Sequence, residues 1–195
     1  ATATHADRIF RFVREDRRRC GTCGVRSWFV GETVLQLESR QMKGGPATIS
    51  ELYLASCAVE EGDMVCDGCK QRSKHECQSR MLTMPNVLVV RIKRDRGARI
   101  PVAVEEQFES PGMVPMSLIG VVYHRGASID SGHYTCLCRG PQGRFWYYDD
   151  NKPVEREESE VAQVRPRDVY MVVYGRRDGS AEWQDCSAVD DHGAA

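Results

Sequence analysis

The sequence has no long hydrophobic run and no excess of charge of one sign, and its number of cysteines is not even. Its apolar runs are short, which excludes a transmembrane helix of about 20 residues. A formal net charge of −1 over 195 residues gives no overall attraction to nucleic acid or to an anionic membrane. We therefore expect neither nucleic acid nor a membrane among the partners of this chain.

The cysteine count is high and odd. Nine cysteines do not fit a secreted disulfide framework, which usually has an even number. Four of them form two Cys-x-x-Cys pairs, and the others are scattered along the chain as Cys57, Cys77, Cys136, Cys138 and Cys186. Unpaired thiols are typical of a reducing compartment, so we expect an intracellular protein.

The two Cys-x-x-Cys pairs predict a metal site. Cys20 with Cys23 and Cys66 with Cys69 each offer two thiolates on one tight turn, with 42 residues between the pairs. Two such turns brought together form a closed tetrahedral cage for one zinc ion, with no open coordination position. The predicted zinc is therefore structural rather than catalytic.

Two other interpretations of the cysteine pairs stay open at this point. Either pair on its own is compatible with a redox-active dithiol. A zinc ribbon that binds nucleic acid has the same architecture, but the basic residues do not cluster with aromatic residues around the pairs.

Strand patterns dominate the predicted secondary structure. Apolar residues alternate over 33–37, and the apolar run Val87–Lys93 predicts a strand buried on both faces. Four further strands with the spacing of an antiparallel sheet are predicted over 117–124, 133–139, 144–149 and 169–176.

The predicted helices are few. Thr48 and Glu51 form a capping box that begins a helix, and 157–164 is a second, short helix candidate. Residues 1–19 are expected to form a strand that enters the first cysteine pair. The Gly-, Ser- and Asp-rich segment 177–195 is expected to be a disordered tail.

A histidine and an aspartate form a second candidate site. His133 begins one predicted strand and Asp149 ends the next, so a hairpin would make them neighbours despite 16 residues of separation. A carboxylate that accepts the imidazole N–H leaves the other ring nitrogen free as a base. Gly132 leaves the backbone before the histidine open for close approach by another chain. Taken singly, His133 has the simpler interpretation of a packed or surface residue, and Asp149-Asp150-Asn151 that of a turn.

Five motifs in a fixed order give the sequence a family resemblance. They are the paired Cys-x-x-Cys motifs, Leu82-Thr83-Met84-Pro85-Asn86 with the strand that follows, Tyr123-His124-Arg125-Gly126 leading to Ser131-Gly132-His133-Tyr134-Thr135, Trp146-Tyr147-Tyr148-Asp149-Asp150-Asn151, and Val169-Tyr170-Met171-Val172-Val173-Tyr174. This series resembles the ubiquitin-specific proteases, the papain-like class of deubiquitinating enzymes. The match runs from about Ile9 to Arg176 and covers most of the chain.

The resemblance implies an α+β, papain-like fold with an antiparallel β palm and zinc-ribbon fingers. The implied partial protease domain spans 1–176, with fingers over about 1–80 and the palm over about 81–176. It also implies a set of site residues: zinc on Cys20, Cys23, Cys66 and Cys69, a general base at His133, its orienting residue at Asp149, a nearby helper at Asp150, and contacts with the ubiquitin tail at Ser131, Gly132 and Tyr134.

The sequence departs from the family at the nucleophile. The family's cysteine lies in a box that reads roughly Gly-x-x-Asn-x-Gly-Asn-Thr-Cys-Tyr, and nothing in these 195 residues matches it. Cys23 belongs to the predicted metal site, and Cys136 and Cys138 are predicted to face away from His133 across their strand. We therefore expect a fragment without the thumb subdomain, inactive when alone.

The implied reaction is thiol-dependent hydrolysis of the bond at the C-terminal glycine of ubiquitin, with ubiquitin and its conjugates as partners. The alternative is a catalytically inactive ubiquitin-binding module or scaffold that keeps the fingers and the palm. His133 and Asp149 are both present, which argues against long decay, because an inactive site has no chemical need for either.

Overall fold

A computed structural model describes residues 4–39, 41–42, 45–93, 100–128, 131–140, 143–150, 152–156 and 165–176. Its helices are α1 (His5–Phe10) and α2 (Ile49–Ser56). Its strands are β1 (Phe12–Cys20), β2 (Gly24–Glu32), β3 (Leu35–Glu38), β4 (Gln41–Met42), β5 (Gly45–Thr48), β6 (Glu60–Val65), β7 (Arg72–Met81), β8 (Val87–Lys93), β9 (Val102–Ala103), β10 (Gln107–Phe108), β11 (Met116–Ser128), β12 (Ser131–Arg139), β13 (Phe145–Asp149), β14 (Lys152–Arg156) and β15 (Val169–Arg176). The predicted helix over 157–164 and the predicted tail over 177–195 lie outside the described residues.

Four long strands form an antiparallel sheet, here called the finger sheet, in the order β2-β1-β7-β6. Strand β1 begins at Phe12, which is fully buried in the core, and ends at Cys20, which pairs with Gly24 where the β1–β2 hairpin turns. Strands β6 and β7 likewise flank the second cysteine pair. Both cysteine pairs therefore lie at the same end of the finger sheet.

The larger sheet, here called the palm sheet, has the order β14-β13-β12-β11-β15-β8-β3, with β10 also paired to β11. The four strands predicted over 117–124, 133–139, 144–149 and 169–176 correspond to β11, β12, β13 and β15, and each of their pairings is antiparallel. That prediction is confirmed. Strand β3 joins the sheet through a parallel pairing with β8, and β14, which the sequence did not predict, forms one edge.

The hydrophobic core lies on one face of the palm sheet, where α2 covers the strands. Phe108 sits between two tyrosines, with ring centroids 5.7 Å from Tyr53 of α2 and 5.6 Å from Tyr174 of β15. The Tyr53 hydroxyl also accepts a hydrogen bond of 3.1 Å from the backbone N–H of Met81, at the end of β7. This contact ties the base of the finger sheet to the palm core.

The prediction that Val87–Lys93 is buried on both faces is wrong. In β8 the side chains of Leu88, Val90 and Ile92 are buried, whereas the alternate residues of the strand are not. The described core packs against only one face of the palm sheet, so β8 buries only the three of its five apolar residues that point to that face.

The sequence predicted one of the two helices, α2, and missed the other, α1. Helix α2 begins at the predicted capping box, in which Thr48 Oγ1 accepts from the Glu51 N–H at 3.1 Å and Glu51 accepts from the Thr48 N–H at 2.9 Å. Helix α1 replaces the first part of the strand predicted over 1–19, because Thr4 and Asp7 form an equivalent capping box. Among the described residues, no helix is long and apolar enough to cross a membrane.

Candidate active site and metal centre

The four cysteines of the two pairs come together at the end of the finger sheet. The sulfur atoms of Cys20, Cys23, Cys66 and Cys69 all lie within 4.8 Å of one another. The Cys20–Cys69 and Cys23–Cys66 sulfur distances are 3.9 Å and 3.5 Å. A tetrahedron with metal–sulfur bonds of about 2.3 Å has sulfur–sulfur edges of about 3.8 Å, so the cluster has the size that four thiolates around one metal ion require.

The two turns present their first cysteine in the same way. The backbone N–H of Thr22 donates to Cys20 Sγ, and that of Gly68 donates to Cys66 Sγ, each at 3.4 Å. In both turns the donor is therefore two residues after the cysteine. Such N–H donors stabilise negative charge on sulfur, as a metal ligand needs.

The thiols differ in acidity. A hydrogen bond with Ser73, followed by the Thr22 N–H, lowers the pKa of Cys20 to about 5. The backbone N–H of Cys69, followed by the side chain of His75, lowers the pKa of Cys66 to about 7. A hydrogen bond with Cys66 raises the pKa of Cys23 to about 12. Cys20 and Cys66, both buried, are thus in surroundings that favour the thiolate state that binds metal.

His133 and Asp149 lie in direct contact in the palm sheet. His133 Nε2 is 2.5 Å from Asp149 Oδ1, and because a carboxylate only accepts, Nε2 is the donor. The side chains are 46% and 43% exposed, so the pair lies at an open part of the surface. The second ring nitrogen, Nδ1, is then the nitrogen that can act as a base.

The strand register explains why these two side chains meet. In the β12–β13 hairpin, Leu137 pairs with Tyr147, and both are buried. His133 and Asp149 lie at even spacing from these residues and therefore share their face of the sheet. The two side chains are diagonal neighbours across the β12–β13 pairing. They lie beyond the last buried residues, where the face of the sheet that carries the core becomes exposed.

Asp150 occupies the turn between β13 and β14. Its φ of +53° is in the left-handed region, which aspartate tolerates better than most residues. A carboxylate oxygen of Asp150 lies within 4.8 Å of the reactive atoms of both His133 and Asp149. All three predicted catalytic residues are therefore brought together, one of them by a turn.

The three residues predicted to contact substrate have different surroundings. Ser131 and Gly132 are exposed at the start of β12. A Cβ on Gly132 would lie 2.6 Å from the Arg125 carbonyl oxygen and 2.9 Å from Gly126 Cα, so the strand that approaches the glycine is β11 of the same chain. Tyr134 is exposed on the opposite face of β12 from His133, with its ring stacked 4.3 Å from that of His124.

The other cysteines of the described residues lie away from this base. Cys136 and Cys138 alternate with the buried residues Thr135 and Leu137, so they point to the opposite face of β12 from His133, as predicted. Their sulfur atoms are 3.9 Å apart. Cys57 follows α2, and Cys77 lies on β7 of the finger sheet.

Two residues at the metal centre were missed from the sequence. Ser73 and His75 lie on β7 beside the cysteine cluster, with Ser73 Oγ 3.2 Å from Cys20 Sγ. The available signal was their position at i and i+2 shortly after the second cysteine pair, which places both on one face of a strand that leaves the turn.

The chain is similar to known proteins both in sequence and in fold. A family model described as UCH, ubiquitin carboxyl-terminal hydrolase, matches residues 2–174. The chain belongs to the ubiquitin carboxyl-terminal hydrolase family. The family resemblance predicted from the sequence motifs is therefore confirmed.

Several curated ubiquitin carboxyl-terminal hydrolases are similar to this chain. Ubiquitin carboxyl-terminal hydrolase 23 of Arabidopsis thaliana is 33% identical over 124 residues, which cover 57% of this chain and 14% of that protein. Ubiquitin carboxyl-terminal hydrolase 10 of Saccharomyces cerevisiae is 29% identical over 131 residues, with coverages of 60% and 16%. Ubiquitin carboxyl-terminal hydrolase 25 of Arabidopsis thaliana is 24% identical over 183 residues, with coverages of 86% and 27%. The chain thus spans less than a third of the length of these relatives.

A solved structure has the same fold as this chain. It is a SAGA DUB module bound to monoubiquitin, with a TM-score of 0.71 and 18% sequence identity, and the likeness covers 90% of this chain and 42% of the other. The predicted combination of a mostly antiparallel β palm with a cysteine cluster of zinc-ribbon type is therefore confirmed as the fold.

Proposed function

We propose that this chain supplies the histidine and aspartate of a cysteine-type catalytic triad that cleaves ubiquitin from its conjugates. The observation that carries the proposal is the 2.5 Å contact between His133 Nε2 and Asp149 Oδ1 in a chain of this hydrolase family. Ubiquitin and ubiquitin-conjugated proteins are the proposed partners, since the relatives are named ubiquitin hydrolases and one solved relative is bound to monoubiquitin.

In the proposed mechanism, Asp149 accepts the Nε2–H of His133 and fixes the tautomer in which Nδ1 is basic. Nδ1 takes the proton of a cysteine thiol, and the thiolate attacks the carbonyl carbon of ubiquitin's C-terminal glycine. The imidazolium returns this proton to the departing lysine amine, which leaves a thioester. Water then loses a proton to His133 and attacks the thioester, which releases ubiquitin's carboxylate and restores the thiol. Asp150 is a proposed helper that adds negative charge near the imidazolium.

We propose that the nucleophilic cysteine lies outside these 195 residues. No segment of the sequence matches the family's cysteine box. In the described residues, four cysteines form the metal cluster and Cys136 and Cys138 face away from His133. The chain alone is then inactive, and it becomes part of an active hydrolase only in a protein that contains the box.

The proposed metal is one structural zinc ion on Cys20, Cys23, Cys66 and Cys69. Four cysteine sulfur atoms within 4.8 Å of one another form a closed donor set, which suits zinc and leaves no position for substrate. Bound there, zinc would join the ends of the β1–β2 and β6–β7 hairpins. Because those ends project from the core, the ion would stabilise the finger sheet and take no part in the reaction.

The entry of ubiquitin's tail is proposed to run along the start of β12. Ser131 and Gly132 are exposed immediately before His133, so a tail that reaches this histidine would pass beside them. A contact between Tyr134 and substrate stays a prediction, because its ring lies on the opposite face of the strand.

The test is the hydrolysis of a fluorogenic amide at the C-terminus of ubiquitin by the full protein that contains this chain. His133→Ala is expected to lower kcat/KM by a factor on the order of 10⁴, as loss of a triad member does. His5→Ala, an exposed histidine on α1, is the matched control and should leave the rate unchanged. Undiminished hydrolysis by His133→Ala would contradict the proposal. A wild-type protein that binds ubiquitin without turnover would support the inactive binding module instead.

A further inference from the structure

We propose that Cys136 and Cys138, on strand β12 of the palm sheet, form a two-thiolate site for the soft monovalent metal ion copper(I). The sulfur atoms of the two residues are 3.9 Å apart. Both lie on the opposite face of β12 from His133, so the site is separate from the His133–Asp149 pair and from the four-cysteine cluster. The inference depends neither on the proposed hydrolysis nor on the proposed zinc ion.

The strand geometry brings the two sulfur atoms together but opposes a disulfide between them. Residues at i and i+2 of a strand have parallel side chains and Cα atoms about 6.4–6.8 Å apart, whereas a disulfide needs Cβ atoms about 3.5–4.5 Å apart. Strand β12 is hydrogen-bonded to β11 on one side and to β13 on the other, which holds it extended. The two residues are therefore held as free thiols.

A single bridging ion fits the distance that a disulfide does not. Two metal–sulfur bonds of about 2.3 Å, the length in zinc thiolates, can join sulfur atoms up to about 4.6 Å apart. The separation of 3.9 Å lies within that limit and corresponds to a bent sulfur–metal–sulfur arrangement. There is also space at one sulfur, because Cys138 pairs with Gly120 of β11. A Cβ on this glycine would lie 3.6 Å from Cys138 Sγ, so its absence leaves room there for an ion.

The donor set selects the kind of ion. Thiolate sulfur is a soft donor, which favours copper(I) and zinc over hard cations such as magnesium. Zinc in a protein almost always takes four ligands. Among the described residues, no third histidine, cysteine or carboxylate joins this pair within 4.8 Å. Copper(I), which is stable with two sulfur ligands, is therefore the ion that the pair can satisfy by itself.

Binding exchanges thiol protons for one cation. Burial, followed by the charge of Cys136, raises the pKa of Cys138 to about 11, so the Cys138 thiol is protonated at neutral pH. Copper(I) offsets the repulsion between the two thiolates. The thiols release their protons to solvent as their sulfur atoms bind the ion, and no electron is transferred.

The test is a copper(I) titration of the full chain, without oxygen and with zinc present, against a colorimetric copper(I) chelator. The wild type should take up one equivalent of copper(I) more than Cys136→Ser or Cys138→Ser, because each substitution removes one of the two donors. Cys77→Ser, which removes a half-buried strand cysteine of the finger sheet, is the matched control and should bind as much as the wild type. Equal uptake by the wild type and both β12 variants would overturn the proposal.

Zinc is measured in the same titration, which separates the two metal sites. The four-cysteine cluster is present in every variant, so the difference in uptake between wild type and variants reports only the β12 pair. Copper(I) uptake that releases zinc equally in the wild type and in both β12 variants would place the ion in the cluster and refute the second site.

A second measurement uses the wild type alone and therefore does not depend on how a variant folds. Phenylarsine oxide bonds to two thiols through its arsenic atom, and its oxygen leaves as water with the two thiol protons. Both cysteines lie in the tryptic peptide 126–139, which should carry one arsenical group and no thiol that an alkylating reagent can modify. Two free thiols in that peptide, after treatment of the folded and zinc-loaded chain, would contradict the bridging geometry.

Discussion

At the residue scale, one step along the chain separates two carboxylates with different surroundings. Asp149 ends β13 on the face that carries the core, and it meets His133 Nε2 at 2.5 Å. Asp150 lies in the turn with a positive φ, and its carboxylate is near the pair. The difference comes from strand alternation, which points the first side chain at the histidine and frees the second for the turn.

The first prediction concerns this difference. Asp149→Asn should lower kcat/KM of the full protein by a factor on the order of 10⁴, because an amide can donate to Nε2 and stabilise the wrong tautomer. Asp150→Asn is the matched control and should lower kcat/KM far less. Asparagine tolerates the left-handed backbone conformation, and Asp149 still orients the histidine. Fluorogenic ubiquitin hydrolysis measures both variants. Equal losses would contradict the assignment of Asp149 as the orienting residue.

A second prediction belongs to Gly132. In Gly132→Ala the new Cβ would meet the Arg125 carbonyl and the Gly126 backbone, so β11 and β12 would have to separate. We expect the free energy of unfolding to fall by about 1–3 kcal/mol, the usual cost of forcing extra atoms into a packed region.

The control for Gly132 is another strand glycine. Gly62 lies on β6, and a Cβ there would meet nothing within 4 Å. The free energy of unfolding of Gly62→Ala should therefore stay within about 0.5 kcal/mol of the wild-type value. Urea unfolding of both variants provides the measurement. A Gly132→Ala chain as stable as Gly62→Ala would show that the close approach of β11 does not constrain this position.

The sequence predicted those contacts of the site that join residues close together in the chain, and it missed those that join distant strands. The contact of His133 with Asp149 follows from one hairpin, so local strand patterns predicted it. Gly132 was predicted to admit another chain, yet the neighbour that excludes a side chain there is β11, whose register the sequence does not reveal. Ser73 and His75 were missed because their position beside the cysteine cluster depends on the pairing of β7 with β1, a contact between residues more than 50 positions apart.

At the element scale, the two helices share a capping device but differ in what they bury. Both begin at a threonine whose hydroxyl accepts an N–H three residues on. Helix α2 buries Ile49, Leu52 and Tyr53, whereas α1 has no buried residue. Local sequence therefore predicts where a helix begins, but only tertiary packing decides what it contributes to stability.

The third prediction compares these two caps. Thr48→Ala removes the acceptor for the Glu51 N–H and should lower the free energy of unfolding by about 1 kcal/mol, the usual value of such a cap. Thr4→Ala removes the equivalent acceptor from α1, which can fray without exposing the core, and should have a smaller effect. Chemical denaturation of both variants tests this. A larger loss of unfolding free energy for Thr4→Ala than for Thr48→Ala would contradict the view that α2 rather than α1 covers the core.

Strand β8 shows the limit of pattern analysis for sheets. Its apolar run predicted burial on both faces, because nearly every residue from Val87 to Ile92 is apolar. In the structure only alternate residues are buried, since the core packs against one face of the palm sheet. The number of layers that cover a sheet is a property of the whole molecule, and a single strand does not encode it.

At the scale of the whole molecule, the cysteine cluster and the His133–Asp149 pair belong to different sheets. Strand β1 leads from Phe12 in the core to Cys20 in the cluster, and nine extended residues span roughly 26 Å. The cluster therefore lies at the far end of the finger sheet from the core, where a bound metal ion would join the two hairpins. The palm sheet carries the His133–Asp149 pair at an open part of the surface, and in the proposed mechanism a cysteine from outside this chain approaches the pair there.

The most direct test is to treat the protein with ubiquitin that carries a thiol-reactive electrophile at its C-terminus. Mass spectrometry then locates the cysteine that has been modified. The full protein should be labelled at a cysteine outside these 195 residues, His133→Ala should abolish the labelling, and the 195-residue chain alone should not react. Labelling of any of the nine cysteines of this chain, in a reaction that needs His133, would contradict the proposal that the chain contributes only the base and its carboxylate.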